Sequence, residues 1–205
     1  VRRLNVLIDT LDVDKFKLIT RWGDLDKVLD GMKAARDAGL SIKLNAVALK
    51  GVNDDEVLDF VSYGRENGLV VRFIEFMPLD ADETWTESKV MPQNEILDLI
   101  SSKYDLEPLS RGSSPAARWK FVDGPGEIGI IATVSEAFCD ACDRIRLTAD
   151  GKFRNCLFAI QEYDVRKLLR ENAGDEKIIE LFSHAVKQKW AGHQICLLYT
   201  SDAAD

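Results

Sequence analysis

The sequence predicts a mixed α/β protein in two parts, a parallel βαβ layer followed by a smaller α+β region. Three observations carry that expectation. Apolar strand-like runs at 4–8, 42–49 and 69–76 alternate with amphipathic helical stretches through short loops. From residue 106 the texture changes to short strands about a Gly124-Pro125-Gly126 turn. Three of the four cysteines then crowd into residues 138–158.

The elements follow in order. Residues 4–8 read as a buried strand. Asp9 to Asp12 turn into a short helix carrying Phe16 and Ile19. Asp24 has the character of an N-cap for a helix to about Ala38, with Leu25, Val28, Leu29, Met32 and Ala35 on one face and Gly39 as its stop. Met32 reads as core. Residues 42–49 form a second strand, Asn53-Asp54 opens a helix with Val57, Phe60 and Val61 inward, and Gly68 ends it before the third strand. Parallel units of this kind have right-handed crossovers and bind ligands at their strand ends. Residues 78–92 are an acidic loop in which Trp85 is a packing anchor, and Pro92 opens a helix to about Lys103. The domain boundary is expected near residue 104. Residues 118–122 and 128–134 read as an antiparallel pair, and two packing helices follow Phe158, marked by Val165, Leu168 and Leu169 and by Ile178, Phe182 and Ala185.

With 205 residues, 46% of them hydrophobic, the chain is long enough for one large or two small cores. A net charge of −8 argues against non-specific nucleic-acid binding, so any phosphate site must be a local basic pocket. No apolar run nears the roughly 20 residues that span a bilayer, and no signal peptide opens the chain. Four cysteines, three in a ligand-like pattern, suit a reducing cytoplasm better than a disulfide framework. The expectation is a cytoplasmic protein with no nucleic-acid or membrane partner. A start at Val1 with a strand almost at once reads as a C-terminal piece of a longer chain.

The chemistry centres on residues 138–158, FCDACDRIRLTADGKFRNCLF. Cys139, Cys142 and Cys156 are spaced C-x2-C-x13-C. Thiolates suit iron–sulfur clusters and zinc. The first pair can grip a metal from one tight turn, and a strand from Arg144 to Thr148 and a turn at Ala149-Asp150-Gly151 make a hairpin that brings Cys156 back beside it. Three ligands leave a tetrahedral centre one short, the mark of a site with an open position. Arg144 and Arg146 lie two apart, so on a strand they share a face, and paired guanidinium groups suit a phosphate. A closed zinc site completed by a histidine or by Cys196, and plain buried thiols, are the alternatives. His184 and His193 read as ordinary surface histidines.

The segment F-C-x-x-C-x-R-x-R-L-T-x-D-G-x-x-x-x-C-L-F resembles the C-terminal cluster motif of the radical S-adenosylmethionine (SAM) GTP 3′,8-cyclases of molybdenum cofactor biosynthesis. The resemblance runs from Leu4 to about Ile195. It implies the C-terminal half of an incomplete TIM-like radical-SAM barrel over 1–104, and a small α+β iron–sulfur domain over 105–195. It further implies a [4Fe–4S] cluster on Cys139, Cys142 and Cys156 with one iron open to GTP, and GTP contacts from Arg144 and Arg146. Where the family often has Asn or Thr, this chain has Asp143, expected to point away. The stretches LNVLIDTLD, IKLNAVALKGVND and VRFIEFMPL resemble successive barrel strands; by that likeness Lys43 and Arg72 bind GTP and Met77 contacts SAM. Charged residues in apolar strands would be costly facing a core unpaired, and a lumen holding GTP resolves the cost. Asn45 and Glu75 could also face it, without a specific role. Leu7 stands where the family's serine contacts SAM, a loss of one hydrogen bond worth about 1 kcal/mol. S-P-A-A-R-W resembles the stretch before the hairpin, where Arg118 forms a surface ion pair, the simpler reading, or reaches the phosphates.

The resemblance implies this reaction: SAM cleaved at a first [4Fe–4S] cluster, hydrogen abstracted from the GTP ribose, and the sugar carbon closing on guanine C8 to give a cyclised dihydroguanosine triphosphate. The cysteines of that first cluster, C-x3-C-x2-C, are not in these residues. The expectation is therefore a chain that binds the substrate-side cluster and GTP but does not turn over without the N-terminal half of its own protein; cyclised product from SAM, dithionite and GTP would overturn it. The family commonly dimerises, but no residue here indicates a homodimer. A non-catalytic zinc or iron–sulfur module and a radical-SAM peptide maturase with an auxiliary cluster are the competing readings, and the arginine pair speaks against a peptide. Residues 196–205, CLLYTSDAAD, replace the family's Gly-Gly tail and read as foreign or misread sequence; Cys196 is given no role.

Overall fold

The computed structural model describes residues 1–79 and 84–189. Residues 196–205 and His193, for which expectations are given above, lie outside them. The chain divides into two compact units, Val1–Ala137 and a second beginning at Phe138.

The first unit is built on a six-stranded sheet. Its strands are β1 (Arg3–Leu7), β2 (Ser41–Ala48), β3 (Val70–Glu75), β4 (Leu106–Leu109), β5 (Ala117–Phe121) and β6 (Glu127–Ile131). They lie in the order β1-β2-β3-β6-β5-β4. β1, β2, β3 and β6 are parallel, and β4 and β5 complete the sheet antiparallel. The helices α1 (Val13–Thr20), α2 (Leu25–Asp37), α3 (Val57–Asn67) and α4 (Gln93–Ser101) lie between them in sequence. Local signals explain the boundaries. Asp12 accepts from the backbone N–H of Asp14 and Lys15 at 2.9 and 2.7 Å, and Asp24 accepts from Lys27, each filling an N-cap role. Gly68 closes α3 in the left-handed conformation at φ 63°, which costs glycine nothing.

The strands alternate strictly. In β2, Ile42, Leu44, Ala46 and Ala48 are buried while Lys43, Asn45 and Val47 are half-buried. Val71 and Phe73 of β3, Ile128 and Ile130 of β6, and Phe60, Val61, Ile96 and Ile100 of the helices join them in one core. The helices thus cover one face, and the other carries the polar side chains. β1 was expected to be buried; it is the sheet's edge among the described strands, and Leu7 is 58% exposed. β4 was not anticipated, since Leu106-Glu107-Pro108-Leu109 is short and holds a proline, yet an edge strand tolerates one. The boundary expected near 104 is not where the compact units part: β4–β6 hydrogen-bond into the β1–β3 sheet, so the division falls after Ala137.

Glu75 has the opposite placement from Lys43. It falls on the core parity of β3 and is fully buried. Its carboxylate accepts from the backbone N–H of Gln93 at 3.0 Å, Val134 at 2.7 Å and Ser135 at 2.8 Å, and from the Ser135 hydroxyl. It is a clamp tying α4 and residues 133–135 to the sheet, not a lumen residue.

The second unit contains β7 (Arg146–Leu147), β8 (Lys152–Arg154) and β9 (Tyr163–Asp164), an antiparallel sheet in that order. Helices α5 (Val165–Arg170) and α6 (Asp175–Lys187) follow. Phe153, Tyr163, Val165 and Ala185 form its buried cluster, with Leu181 and Phe182 packed against it. No described helix is long and apolar enough to cross a membrane.

Candidate functional site

Two groups of cationic side chains stand out, one in each unit. In the sheet, register places Asn5 beside Lys43, Leu7 beside Asn45, Asn45 beside Arg72, and Arg72 beside Gly129. Residues paired across strands share a face, so these line the side away from the core. The Arg72 guanidinium donates from Nε to Asn45 Oδ1 at 2.8 Å and from Nη2 to Asn5 Oδ1 at 2.9 Å. Among the described residues no carboxylate pairs with it. Burial, then the charge of Arg3, pulls its pKa down from the ordinary arginine value, but a guanidinium remains charged. Burial likewise lowers the Lys43 ammonium, helped by Arg72, Arg3 and Arg118 and opposed by Glu127. Mutual repulsion among cations on one face is what an anion would relieve.

Arg118 on β5 is different. It is ion-paired with Glu127, whose hydrogen bond raises its pKa. Its charge is already answered, as the sequence reading anticipated. Met77 follows β3, half-buried, its carbonyl accepting from Leu79 N at 2.7 Å. Trp85 donates Nε1–H to the Phe76 carbonyl at 2.9 Å, anchoring its loop as expected.

At the C-terminal ends of β1 and β2 lies a second polar cluster. Asp9 Oδ1 accepts from Val47 N at 2.8 Å, and Asn53 donates to the carbonyls of Asp9 and Val47. Burial raises the Asp9 carboxyl, and the Val47 hydrogen bond only partly offsets it.

In the second unit, Cys139–Ala141 form a 3₁₀ turn and Cys142 N donates to the Cys139 carbonyl at 3.1 Å, the tight turn the C-x2-C spacing implies. Beyond it Cys142, Arg144, Arg146 and Thr148 are half-buried while Asp143, Ile145 and Leu147 are exposed. The two arginines therefore lie on the parity of Cys142, and Asp143 points away. Regular strand pairing covers only Arg146–Leu147, fewer residues than the 144–148 expected. Arg144 donates from Nη2 to Cys142 Sγ at 3.2 Å and stacks over the Phe138 ring at 4.8 Å. Burial pushes the Cys142 thiol up, but the Arg144 backbone and side-chain hydrogen bonds, then the charges of Arg144 and Lys189, bring it below its ordinary value. Cys156 follows β8, half-buried, and its neighbour Asn155 is tied to α6 by a bond from Nδ2 to the Ala185 carbonyl at 2.8 Å.

All three thiols are half-buried. Among the described residues no group of three or more His, Cys, Asp or Glu side chains is arranged to hold a metal ion. Three thiolates repel one another, and a ligand set of this kind is completed by the ion it binds. The donor set itself, three soft sulfurs with one already in a cationic setting, suits an iron–sulfur centre. His184 packs edge-on against the Tyr163 ring, 5.9 Å between centroids.

Sequence reasoning missed two residues here. Lys189, just past α6, donates to Cys142 Sγ at 3.5 Å and to the Arg144 carbonyl at 2.8 Å. A lysine at a helix C-terminus ordinarily signals only the helix dipole. Asn5 could have been found, because the rule that singled out Lys43, a polar residue in an apolar strand, applies to it equally.

Comparison with known proteins bears on both units. Residues 69–195 match the family described as Molybdenum Cofactor Synthesis C, and residues 1–64 match the Radical SAM superfamily. A GTP 3′,8-cyclase of Streptomyces coelicolor is 44% identical over 194 residues, covering 93% of this chain and 57% of that protein. The GTP 3′,8-cyclases of Rhodopirellula baltica and Moorella thermoacetica are 42% and 41% identical, covering 95% of this chain and 56% and 61% of theirs. The chain thus spans between 56% and 61% of the length of these curated relatives.

Proposed function

The chain belongs to the Molybdenum Cofactor Synthesis C family, and from that premise we propose that it carries the substrate-binding part of a GTP 3′,8-cyclase, a radical-SAM lyase of molybdenum cofactor biosynthesis. The observation that carries the reading is the segment 142–146, in which Cys142, Arg144 and Arg146 are half-buried on one parity, with no carboxylate partner for either arginine among the described residues. A thiol beside two unneutralised guanidinium groups is a place for a metal centre and a nucleotide together.

In this reading Cys139, Cys142 and Cys156 hold a [4Fe–4S] cluster, which when bound supplies an iron with a position open to the guanine base. Arg144 and Arg146 contact GTP. The sheet is part of an incomplete TIM-like barrel whose polar face is the lumen, Lys43 and Arg72 answer the triphosphate charge, and Met77 lies by SAM. Leu7, on the same face as Asn45, offers SAM no hydrogen bond. The protein's contribution is orientation: a nucleotide held at its base and at its phosphates has little freedom left to lose on the way to ring closure. Such a centre belongs in the reducing cytoplasm, and a homodimer is compatible with it.

Anaerobic reconstitution with iron and sulfide, metal analysis and GTP binding test the proposal together. Expected are near-stoichiometric iron and sulfide lost in Cys156→Ala, and GTP binding weakened about tenfold or more in an Arg144→Ala, Arg146→Ala double variant, as for a lost charge-assisted pair. Zinc in place of iron, or GTP binding indifferent to the arginines, would sink it in favour of a plain metal module or a peptide-modifying relative.

A further inference from the structure

Arg72 is seated by three other residues, none of which takes its charge. Asn45 and Asn5 accept from Nε and Nη2 through neutral carboxamide oxygens. On the other side, the register partner of Arg72 on β6 is Gly129. A Cβ there would meet Arg72 Cγ at 3.1 Å and Ala116 Cβ at 3.2 Å. The glycine leaves the space in which the arginine stem lies. Two other arginines of this unit show the alternative solution: Arg65 pairs with Asp123 and Arg118 with Glu127. Carboxylates at positions 5 or 45 would have held Arg72 as well and neutralised it.

We propose that Asn5, Asn45 and Gly129 are positioning residues that fix the Arg72 guanidinium without neutralising it, so that a polyphosphate meets a preorganised full charge. This rests on the reading that Arg72 faces the triphosphate. A guanidinium has five N–H donors; two go to the carboxamides, which lock its plane and leave the others for the anion. Fixing a long side chain beforehand removes ordering that binding would otherwise cost.

The discriminating change is Asn45→Asp, nearly isosteric, which keeps the hydrogen bond and adds a charge. Titration of the full chain with inorganic tripolyphosphate and with GTP, beside thermal melting, reads both consequences. Arg72→Ala tests the underlying reading: unchanged affinity there means that Arg72 does not face the phosphates. Given a loss in Arg72→Ala, Asn45→Asp is expected to bind tripolyphosphate roughly tenfold more weakly while melting at or above the wild-type temperature, because an ion pair replaces an ion–dipole contact. A merely structural asparagine would move affinity and melting in the same direction. Asn5→Asp, on the exposed edge strand, is expected to bind severalfold more weakly and carries the test if Asn45→Asp does not fold. Wild-type affinity in the folded Asp variants, with Arg72→Ala impaired, overturns the proposal and leaves the reading standing.

Discussion

The polar face of the six-stranded sheet and the cysteine hairpin both present cations unneutralised by carboxylates, but they are built on different supports. Lys43 and Arg72 stand on central parallel strands whose opposite faces, Leu44, Ala46, Val71 and Phe73, belong to a core shared with four helices. Arg146 stands on a two-residue strand, with Arg144 in the irregular segment just before it, in a unit whose buried cluster is Phe153, Tyr163, Val165 and Ala185. The sheet fixes its site through packing already present in the chain. The hairpin has only a small core of four buried residues behind it.

Removing the aromatic centre of the small core should strain that contrast most. Phe153→Ala deletes a buried ring stacked edge-on with Phe182 at 4.7 Å, a change that costs about 3–5 kcal/mol in cores generally. Amide hydrogen exchange should show the second unit opening while β2 and β3 keep their protection; loss of protection across both units together would show that the two do not differ in this way. A smaller effect, confined to the first unit, is expected of Glu75→Ala. It strands the N–H groups of Gln93, Val134 and Ser135 without their acceptor, at about 3 kcal/mol by the usual cost of buried unsatisfied donors. Urea unfolding of the sheet should report it, and iron–sulfur loading of the hairpin should be unchanged.

The finest probe is Asp9. Its folded carboxyl is raised, so the folded chain holds that proton more tightly than the unfolded chain. Stability is therefore lost as pH rises from the ordinary carboxylate range through the raised value. Asp9→Asn keeps an oxygen for Val47 N and carries no charge. It should match the wild type at low pH and exceed it by less than about 1 kcal/mol at neutral pH. An advantage that grew on acidification would contradict the burial of this group.

Much of this was legible without coordinates. Asp24, Gly68 and the apolar periodicity set helix ends and faces, and alternation placed Arg144 and Arg146 on one face. The same alternation was available for Glu75 and was not applied: counting from Arg72, position 75 falls on the opposite side of the strand. β4 escaped because a four-residue edge strand holding a proline has no periodicity to read.

Residue order determined the elements, the three thiols and which side chains share a face, since these depend on spacing along a strand or helix. Folding in three dimensions decided the partners: that β4–β6 extend the first sheet, that Lys189 reaches Cys142, that Glu75 ties down residues 133–135, and that Arg72 rests on two amides and a glycine. Those contacts join positions some 30 to 70 residues apart. Short-range propensity and periodicity do not extend across such separations, and only the packing of the sheet and helices brings the groups together.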